Sequence, residues 1–256
     1  MEYLVWWIYV VAIVGGFAAG VINTLAGSGS VITLGILTEL MGLPANLANG
    51  TNRVGILAQG IASSRIYLKS VQFSFLKSKS ILLLTSIGAV FGVYTATVIS
   101  NDHFTFVYKY LMLVMLIVIL IKPSRWIREE QLEKNIPIRF SAPIYLFLGF
   151  YGGFIQLGMG IFFLAAAVLL SGLNLRDGNI AKTIVVTFYT FIVLAIFQWK
   201  GLIAWPLGLT IAIGQAFGGI VAAKFITKND YAIKTAYVLL VLMVIIIVLR
   251  QFFGIF

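Results

Sequence analysis

The sequence contains no cysteine, a single histidine and few charged residues. Only 10% of its 256 residues are charged, whereas an average soluble domain has about a quarter. The missing cysteines exclude disulfides, thiolate metal sites and cysteine nucleophiles. His103 cannot form a metal site alone, and no paired acids accompany it in an apolar segment, which argues against an intramembrane enzyme. So few charges cannot cover a water-exposed surface.

Hydrophobic residues make up 61% of the chain, and the mean hydropathy is +1.05. Uncharged windows cover residues 5–38, 81–101, 140–175 and 201–223. A hydrocarbon core of about 30 Å needs roughly 20 apolar residues as a helix, so each window can cross a bilayer. The sequence therefore predicts an all-α, polytopic integral membrane protein. No basic residues precede the first window, which favours a spanning segment over a cleaved signal peptide.

Glycine, proline, asparagine and charge clusters divide the windows into two similar sets of five segments. A first repeat is predicted over residues 1–122, a charged cytoplasmic linker over 123–140 and a second repeat over 141–256. The predicted segments are 4–22, 28–42, 46–68, 80–99 and 104–122, followed by 142–157, 159–171, 175–197, 202–225 and 232–252. The same order and similar lengths in both sets indicate an internal duplication.

Matching residues at three places support this duplication. The pairs are Gly20 to Asn23 with Gly153 to Gln156, Gly42 and Asn49 with Gly172 and Asn179, and Gly88 to Gly92 with Gly214 to Gly218. The connector 65–79 carries four positive charges and no acid, and its counterpart near Lys200 carries one. In the next pair of connectors the positive excess lies in the second half, since residues 100–104 have no Lys or Arg and residues 224–234 have three Lys. Because cytoplasmic loops are enriched in Lys and Arg, this exchange predicts inverted repeats.

The first element of each repeat is too long for one crossing and is predicted to be broken. Segments one and two together span about 38 residues, or about 57 Å as a helix. Glycine-rich polar runs mark the predicted breaks, and half-helix N-termini there can face an anion. The candidate binding residues are Asn23, Gly27, Ser28, Gly29 and Ser30 in the first run and Gln156, Gly158 and Gly160 in the second. Alternatively, these glycines only allow close helix packing, as Gly16, Gly20, Gly88, Gly92, Gly214 and Gly218 are expected to do.

A second polar cluster opens the third segment of each repeat. Its candidate binding residues are Asn49, Thr51, Asn52 and Arg53 in the first repeat and Asn179 and Lys182 in the second. Arg53 and Lys182 lie about 10 Å inside their segments, where a lipid-facing cation costs several kcal/mol. An anionic ligand is one possible partner for them, and snorkelling to the interface is the alternative. Arg53 aligns with Thr183 and Lys182 with Asn52, so the two cations are not equivalent in the repeats.

Other polar and aromatic residues have simpler interpretations. Interhelical hydrogen bonds are expected for Gln59, Thr187, Tyr189 and Gln198. Interfacial anchoring is expected for Trp6, Trp7, Trp126, Trp199 and Trp205. The net charge of +10 resides mainly in loops, which indicates the positive-inside bias and no nucleic-acid partner.

The order of these motifs resembles the TauE/SafE sulfite exporter family. The resemblance rests on Gly16, Gly20 and Asn23, then 27–29, then 42–44 and 48–52, and it extends over essentially the whole chain. It implies a permease that exports sulfite, organosulfonates or related small anions. The family's glycine-rich run is usually denser and is often followed by proline, whereas Ser30 stands here. The implied signature regions are 23–30, 49–53, 156–160 and 179–182.

Taken together, the sequence predicts a secondary transporter in the cell membrane that needs no cofactor or metal and whose ligand is a small anion. No phosphate-binding loop for ATP is present. A carrier for a neutral or cationic solute, with structural basic residues, is an alternative. A membrane scaffold subunit without transport is another. The substrate, coupling ion, direction and oligomeric state are left open, a homo-oligomer included.

Overall fold

A computed structural model describes residues 5–70, 79–120, 136–173, 175–224 and 230–253, and in these ranges the chain is almost entirely helical. The predicted segments correspond one to one to the helices, with ends that differ by a few residues. The helices are α1 Val5–Ala26, α2 Ser30–Gly35, α3 Ala45–Ser70, α4 Lys79–Val98, α5 Asn101–Leu120, α6 Ile138–Phe154, α7 Met159–Leu169, α8 Leu175–Trp199, α9 Trp205–Lys224 and α10 Asp230–Phe253. A π-helical turn, Ile36–Leu40, extends α2.

Five of the described helices are long and apolar enough to cross a membrane. These spans are Trp6–Ala26, Lys79–Val98, Asn101–Leu120, Asp177–Trp199 and Trp205–Lys224. Large apolar side chains such as Phe91, Phe191 and Phe217 are more than 60% exposed on the outside of the bundle. Such a surface is suited to lipid, which confirms the prediction of a helical membrane protein.

The chain reverses direction after α1. Ile36 packs against Gly15, and Gly29 packs against Ala19, so α2 runs back along the helix that precedes it. Only residues 27–29, here called the first tip, lie outside the two helices. The predicted interruption at 23–30 is therefore too long. Asn23 and Thr24 stay helical because the carbonyl of Asn23 accepts the amide of Gly27 at 2.9 Å.

Helices α6 and α7 form a second hairpin of the same kind. The amide of Ile136 donates to the carbonyl of Leu170 at 2.8 Å, and the rings of Tyr145 and Phe163 lie 5.9 Å apart. Residues 155–158, here called the second tip, connect the two helices. Gln156 and Gly158 both have positive φ, at 61° and 60°. The backbone therefore turns sharply at a non-glycine residue, which is unusual.

Glycines let two pairs of helices pack backbone to backbone. A Cβ at Gly214 or Gly218 would collide with the backbone of Phe17 or its neighbours on α1. In the same way, a Cβ at Gly88 or Gly92 would collide with the backbone around Phe150 on α6. The packing role predicted for these glycines is confirmed. Helix α9 thus packs against α1, and α4 packs against α6.

Helices α3 and α8 cross the centre of the bundle in opposite directions. Gly50 lies against Phe197, Gly60 against Thr187, and Asn179 donates to the Tyr67 hydroxyl at 3.3 Å. Helix α3 also packs along α9, where Gly208 meets Val54. These contacts bring the polar start of α3 to the end of α6, and the polar start of α8 to the end of α1.

Other predictions have mixed outcomes. Interhelical hydrogen bonds are confirmed for three of the four residues, because Gln59 bonds Asn23 and Thr24, Tyr189 bonds Met159, and Gln198 bonds Trp205. The prediction is wrong for Thr187, whose hydroxyl donates to Thr183 on its own helix. Trp126 and most of the predicted linker lie outside the described residues, and α6 begins inside that linker, at Ile138.

Candidate functional site

The two tips meet inside the protein. The amide of Gly160 donates to the carbonyl of Gly27 at 3.1 Å, and the Ser30 hydroxyl donates to the carbonyl of Gln156 at 2.7 Å. Gly27 has a φ of +79°, and a Cβ on it would overlap the backbone of Gly160. Both glycines are therefore required by close backbone approach, and Gly27 also by its left-handed conformation.

The carbonyl end of α1 is held by two side chains from α8. The Lys182 ammonium lies 3.2 Å from the carbonyl oxygen of Asn23 and 3.4 Å from that of Thr24. The amide of Asn179 donates to the same Thr24 oxygen at 3.1 Å. A helix C-terminus carries a partial negative charge, so an ammonium group is stabilised there. Lys182 is only 4% exposed.

The carbonyl end of α6 is held in the same way by α3. The Arg53 guanidinium donates to the carbonyls of Gly152 at 2.7 Å and Gly153 at 3.1 Å, and also to the side-chain oxygen of Gln156. The amide of Asn49 donates to the carbonyl of Phe154 at 2.7 Å. Arg53 is completely buried, and its side chain also bonds Asn49 at 3.2 Å.

These contacts change the interpretation of the two cations. Neither snorkels, since Arg53 is 0% and Lys182 4% exposed within the protein. The partner that the sequence left open for Arg53 is the backbone of α6 together with two side-chain amides. Arg53 on α3 thus caps α6, and Lys182 on α8 caps α1. Their aligned neighbours Asn49 and Asn179 do the same.

A polar cavity lies beside the meeting point of the tips. It is bounded by both tips and by the facing surfaces of α3 and α8. Its lining residues are Asn23, Gly27, Ile56, Gln59, Gly60, Gln156, Gly160, Lys182, Thr183, Val186 and Thr187. Lys182 provides the only formal charge among these lining residues. The cavity therefore combines one cation, several amide and hydroxyl groups, and two glycines in its wall.

Five of the predicted binding residues line this cavity, namely Asn23, Gly27, Gln156, Gly160 and Lys182. The other nine are absent from its lining. Besides Arg53, Asn49 and Asn179, these are Ser28, Gly29, Ser30, Thr51, Asn52 and Gly158.

Contacts of Arg53, Asn49, Asn179 and Ser30 are given above, and four more of the nine residues lie in structural contacts or at helix ends. The Asn52 side-chain oxygen accepts from the Thr33 hydroxyl at 2.6 Å. Thr51 bonds the carbonyl of Leu47 and the amide of Ala204, which joins α3 to the start of α9. Gly29 and Gly158 form the N-caps of α2 and α7. Their contacts are those of structural residues at the tips and helix ends.

The sequence missed Gln59, Thr183 and Thr187 as lining residues. Gln59 lies two helical turns after Asn52 on α3, and Thr187 lies within an apolar stretch of α8. A polar side chain of this kind is equally typical of an interhelical hydrogen bond. Spacings of three and four residues, Ile56 to Gln59 and Thr183 to Thr187, are the signal of a shared helix face. No cluster of three metal-ligating side chains occurs among the residues that the structure describes.

Comparisons with known proteins identify the family of the chain. The family model described as sulfite exporter TauE/SafE matches residues 12–249. A probable membrane transporter protein, ORF9 of a Sinorhizobium species, is 26% identical over 229 residues, which cover 88% of this chain and 86% of the relative. A probable membrane transporter protein of Haemophilus influenzae is also 26% identical, with 88% of each chain covered.

A third relative, the probable membrane transporter protein YfcA of Escherichia coli, is 23% identical and covers 82% of this chain and 78% of its own. No solved structure gives a significant match. The family match includes both hairpins, the cavity between them and nearly all the described helices. The chain therefore belongs to the sulfite exporter TauE/SafE family of membrane transporters.

Proposed function

We propose that this protein is a secondary permease of the plasma membrane that exports small anions of the sulfite and organosulfonate class. The observation that carries the proposal is the position of Lys182, which brings the one formal charge of the cavity lining to the meeting point of the two tips. A single ammonium surrounded by amides and hydroxyls attracts an anion and provides donors for its oxygens. The family match adds the substrate class.

In this proposal the anion lies between Lys182, the Asn23 amide and the Thr187 hydroxyl, whose proton turns from the Thr183 carbonyl to the anion. The Gln156 amide faces the same space from the second tip. Arg53 has a different role, because its guanidinium donates to three protein oxygens on or beside α6 and one on Asn49. We therefore propose Lys182 as the substrate-binding cation and Arg53 as a positioning residue.

We further propose that the two repeats are inverted and that the tips are re-entrant breaks inside the membrane. Three relationships support this. Helices α1 and α3 begin at one end of the bundle, because α2 returns along α1. Helices α6 and α8 likewise share an end, since Leu170 returns to Ile136. Because α3 and α8 run in opposite directions, α1 and α6 do as well. Irregular backbone is tolerated in a membrane where protein or a cavity satisfies it, and this arrangement is common in secondary transporters.

Export of an anion in this way requires no ATP. At an inside-negative potential, outward movement of a monovalent anion is favoured by roughly 2.3 kcal/mol per 100 mV. Rocking of one hairpin against the other around the tip contact would expose the cavity to each side in turn. The membrane potential alone is then a sufficient driving force.

Flux in proteoliposomes tests the proposal. Labelled sulfite and short sulfonates should be transported by the wild-type protein, and Lys182→Ala should reduce the flux at least about tenfold. The matched control is Lys200→Ala, which removes one exposed lysine just beyond the end of α8 and should leave flux unchanged. Equal flux in wild-type and Lys182→Ala protein of equal fold quality would refute the role of Lys182. Saturable flux of a neutral solute that sulfonates do not inhibit would refute the anion class.

A further inference from the structure

The Lys182 ammonium occupies a place where a free monovalent cation would be favoured. The C-terminal end of a helix carries partial negative charge, and interrupted helices in transporters use these carbonyls to bind Na⁺. In this protein the carbonyl oxygens of Asn23 and Thr24 both face the ammonium, at 3.2 and 3.4 Å. The covalently attached ammonium group of Lys182 therefore occupies the cation position at the end of α1.

The remaining surroundings are also those of a cation site. Oxygen-bearing side chains of Gln59, Thr183 and Thr187 line the same cavity as Lys182. The Thr183 and Thr187 hydroxyls donate to carbonyls on their own helix, so their oxygen lone pairs are available for a cation. Hard monovalent and divalent cations prefer such neutral or anionic oxygen ligands.

The equivalent site at the end of α6 differs in one respect. The Arg53 guanidinium is bonded to Gly152, Gly153, Asn49 and Gln156, and Arg53 is not among the cavity-lining residues. Removing that guanidinium would leave a vacancy enclosed by protein. Removing the Lys182 ammonium would instead leave a vacancy that belongs to the cavity. The site at α1 is therefore the one that adjoins the cavity.

We propose that Lys182 is a tethered substitute for a coupling cation, and that its removal creates a site for NH₄⁺, K⁺ or Na⁺ formed by the carbonyls of Asn23 and Thr24 and the cavity hydroxyls. The wild-type protein accordingly needs no free monovalent cation to stabilise the end of α1. This inference concerns a cation site and not the transported anion, so it can be tested without any substrate.

Thermal unfolding of the full-length purified protein provides the test. Melting temperatures are measured in equal concentrations of ammonium, potassium, sodium and choline chloride, which hold the anion constant. We expect no difference among the four salts for the wild-type protein. For Lys182→Ala we expect at least one small cation to raise the melting temperature by about 2–4 °C relative to choline, once its concentration exceeds the dissociation constant several-fold.

Two further variants make the result decisive. Lys200→Ala removes an exposed lysine and should behave as the wild type in all four salts. Lys182→Ser leaves a hydroxyl in the vacancy and should show the same cation preference as Lys182→Ala. Recovery of folded Lys182→Ala only in a small-cation salt would also support the proposal. Three results would overturn the proposal. The melting temperatures of both Lys182 variants could be independent of the cation, both variants could remain unfolded in all four salts, or Na⁺ could stabilise the wild-type protein.

Discussion

Gly27 and Gly160 lie so close together that neither has room for a side chain. The amide of Gly160 donates to the carbonyl of Gly27 at 3.1 Å, and a Cβ on either residue would overlap the backbone of the other. The contact joins the two hairpins at their tips, beside the cavity. Its geometry leads to a first prediction.

Gly27→Ala should destabilise the protein by about 2–4 kcal/mol, because strain from a positive φ adds to steric overlap with Gly160. Gly42→Ala is the control, since Gly42 has a similar φ of +67° but nothing within 4 Å of the position of its Cβ. It should show only the strain, of about 1 kcal/mol. Melting temperatures in the same detergent compare the two. Equal losses would mean that the tips do not pack as described.

Removing the Arg53 guanidinium should be strongly destabilising. Arg53→Met leaves carbonyls of Gly152 and Gly153 buried without their donors, and breaking one side of a buried charged network costs about 3–5 kcal/mol. Arg65→Met on the same helix is the control, because Arg65 is exposed. Thermal unfolding measures both. If the melting temperature of Arg53→Met lay within about 2 °C of that of the control, the capping role would be contradicted.

The hydroxyl of Thr187 should affect transport more than stability. Thr187→Val keeps the shape of the side chain but removes a hydroxyl from the cavity wall. If the proton of that hydroxyl turns from Thr183 to the proposed anion, the apparent KM for that anion should rise several-fold in the variant. Thr95→Val is matched to it, because the Thr95 hydroxyl also donates to a carbonyl four residues earlier on its helix, but this hydrogen bond is exposed and lies away from the cavity. Flux over a substrate series measures the effect. An unchanged KM would exclude the hydroxyl from substrate contact.

Gly218 and Gly92, which are matched in the predicted repeats, should lose similar amounts of stability when each is replaced by alanine. Gly218→Ala forces α1 and α9 apart, and Gly92→Ala forces α4 and α6 apart, since the added Cβ meets backbone in both cases. Each change should cost about 1–3 kcal/mol. Phe217→Ala, at a 61% exposed position next to Gly218, should be nearly neutral in detergent. A large loss for only one of the two glycines would show that the two interfaces are packed differently.

The absence of cysteine allows the topology to be tested by single-cysteine labelling without a prior cysteine-free variant. Ser100→Cys and Lys200→Cys should react with a membrane-impermeant maleimide added outside the cell. Lys79→Cys and Lys224→Cys should react only after the membrane is opened. All four positions are exposed. Labelling of Lys79→Cys and Lys200→Cys from the same side would contradict inverted repeats.

The helices could be predicted from the sequence because long uncharged runs and glycine boundaries set their lengths. The reversal of the chain direction at the first tip could not be predicted from the sequence. A glycine-rich run between two apolar segments is compatible both with a helix that resumes in the same direction and with one that turns back. The choice depends on contacts such as Gly15 with Ile36, which residue types alone do not specify.

The site could be predicted only in part. Asn23, Gln156 and Lys182 were identifiable because polar groups in apolar segments are unusual. The partner of Arg53 was not identifiable, because it consists mainly of backbone carbonyls at the end of α6 and these have no residue-type signature. Gln59 and Thr187 were assigned to interhelical bonding, since the sequence does not state which helix face borders empty space.

The crossed capping of the hairpins has a consequence for biosynthesis. The end of α1 is completed by Asn179 and Lys182, which the ribosome makes more than 150 residues after Asn23. The first five helices therefore enter the membrane with one hairpin unfinished, and the second hairpin in turn depends on residues already made, Asn49 and Arg53. Neither half contains all the side chains that cap its own hairpin, so the first hairpin can reach the arrangement described here only after α8 has been made.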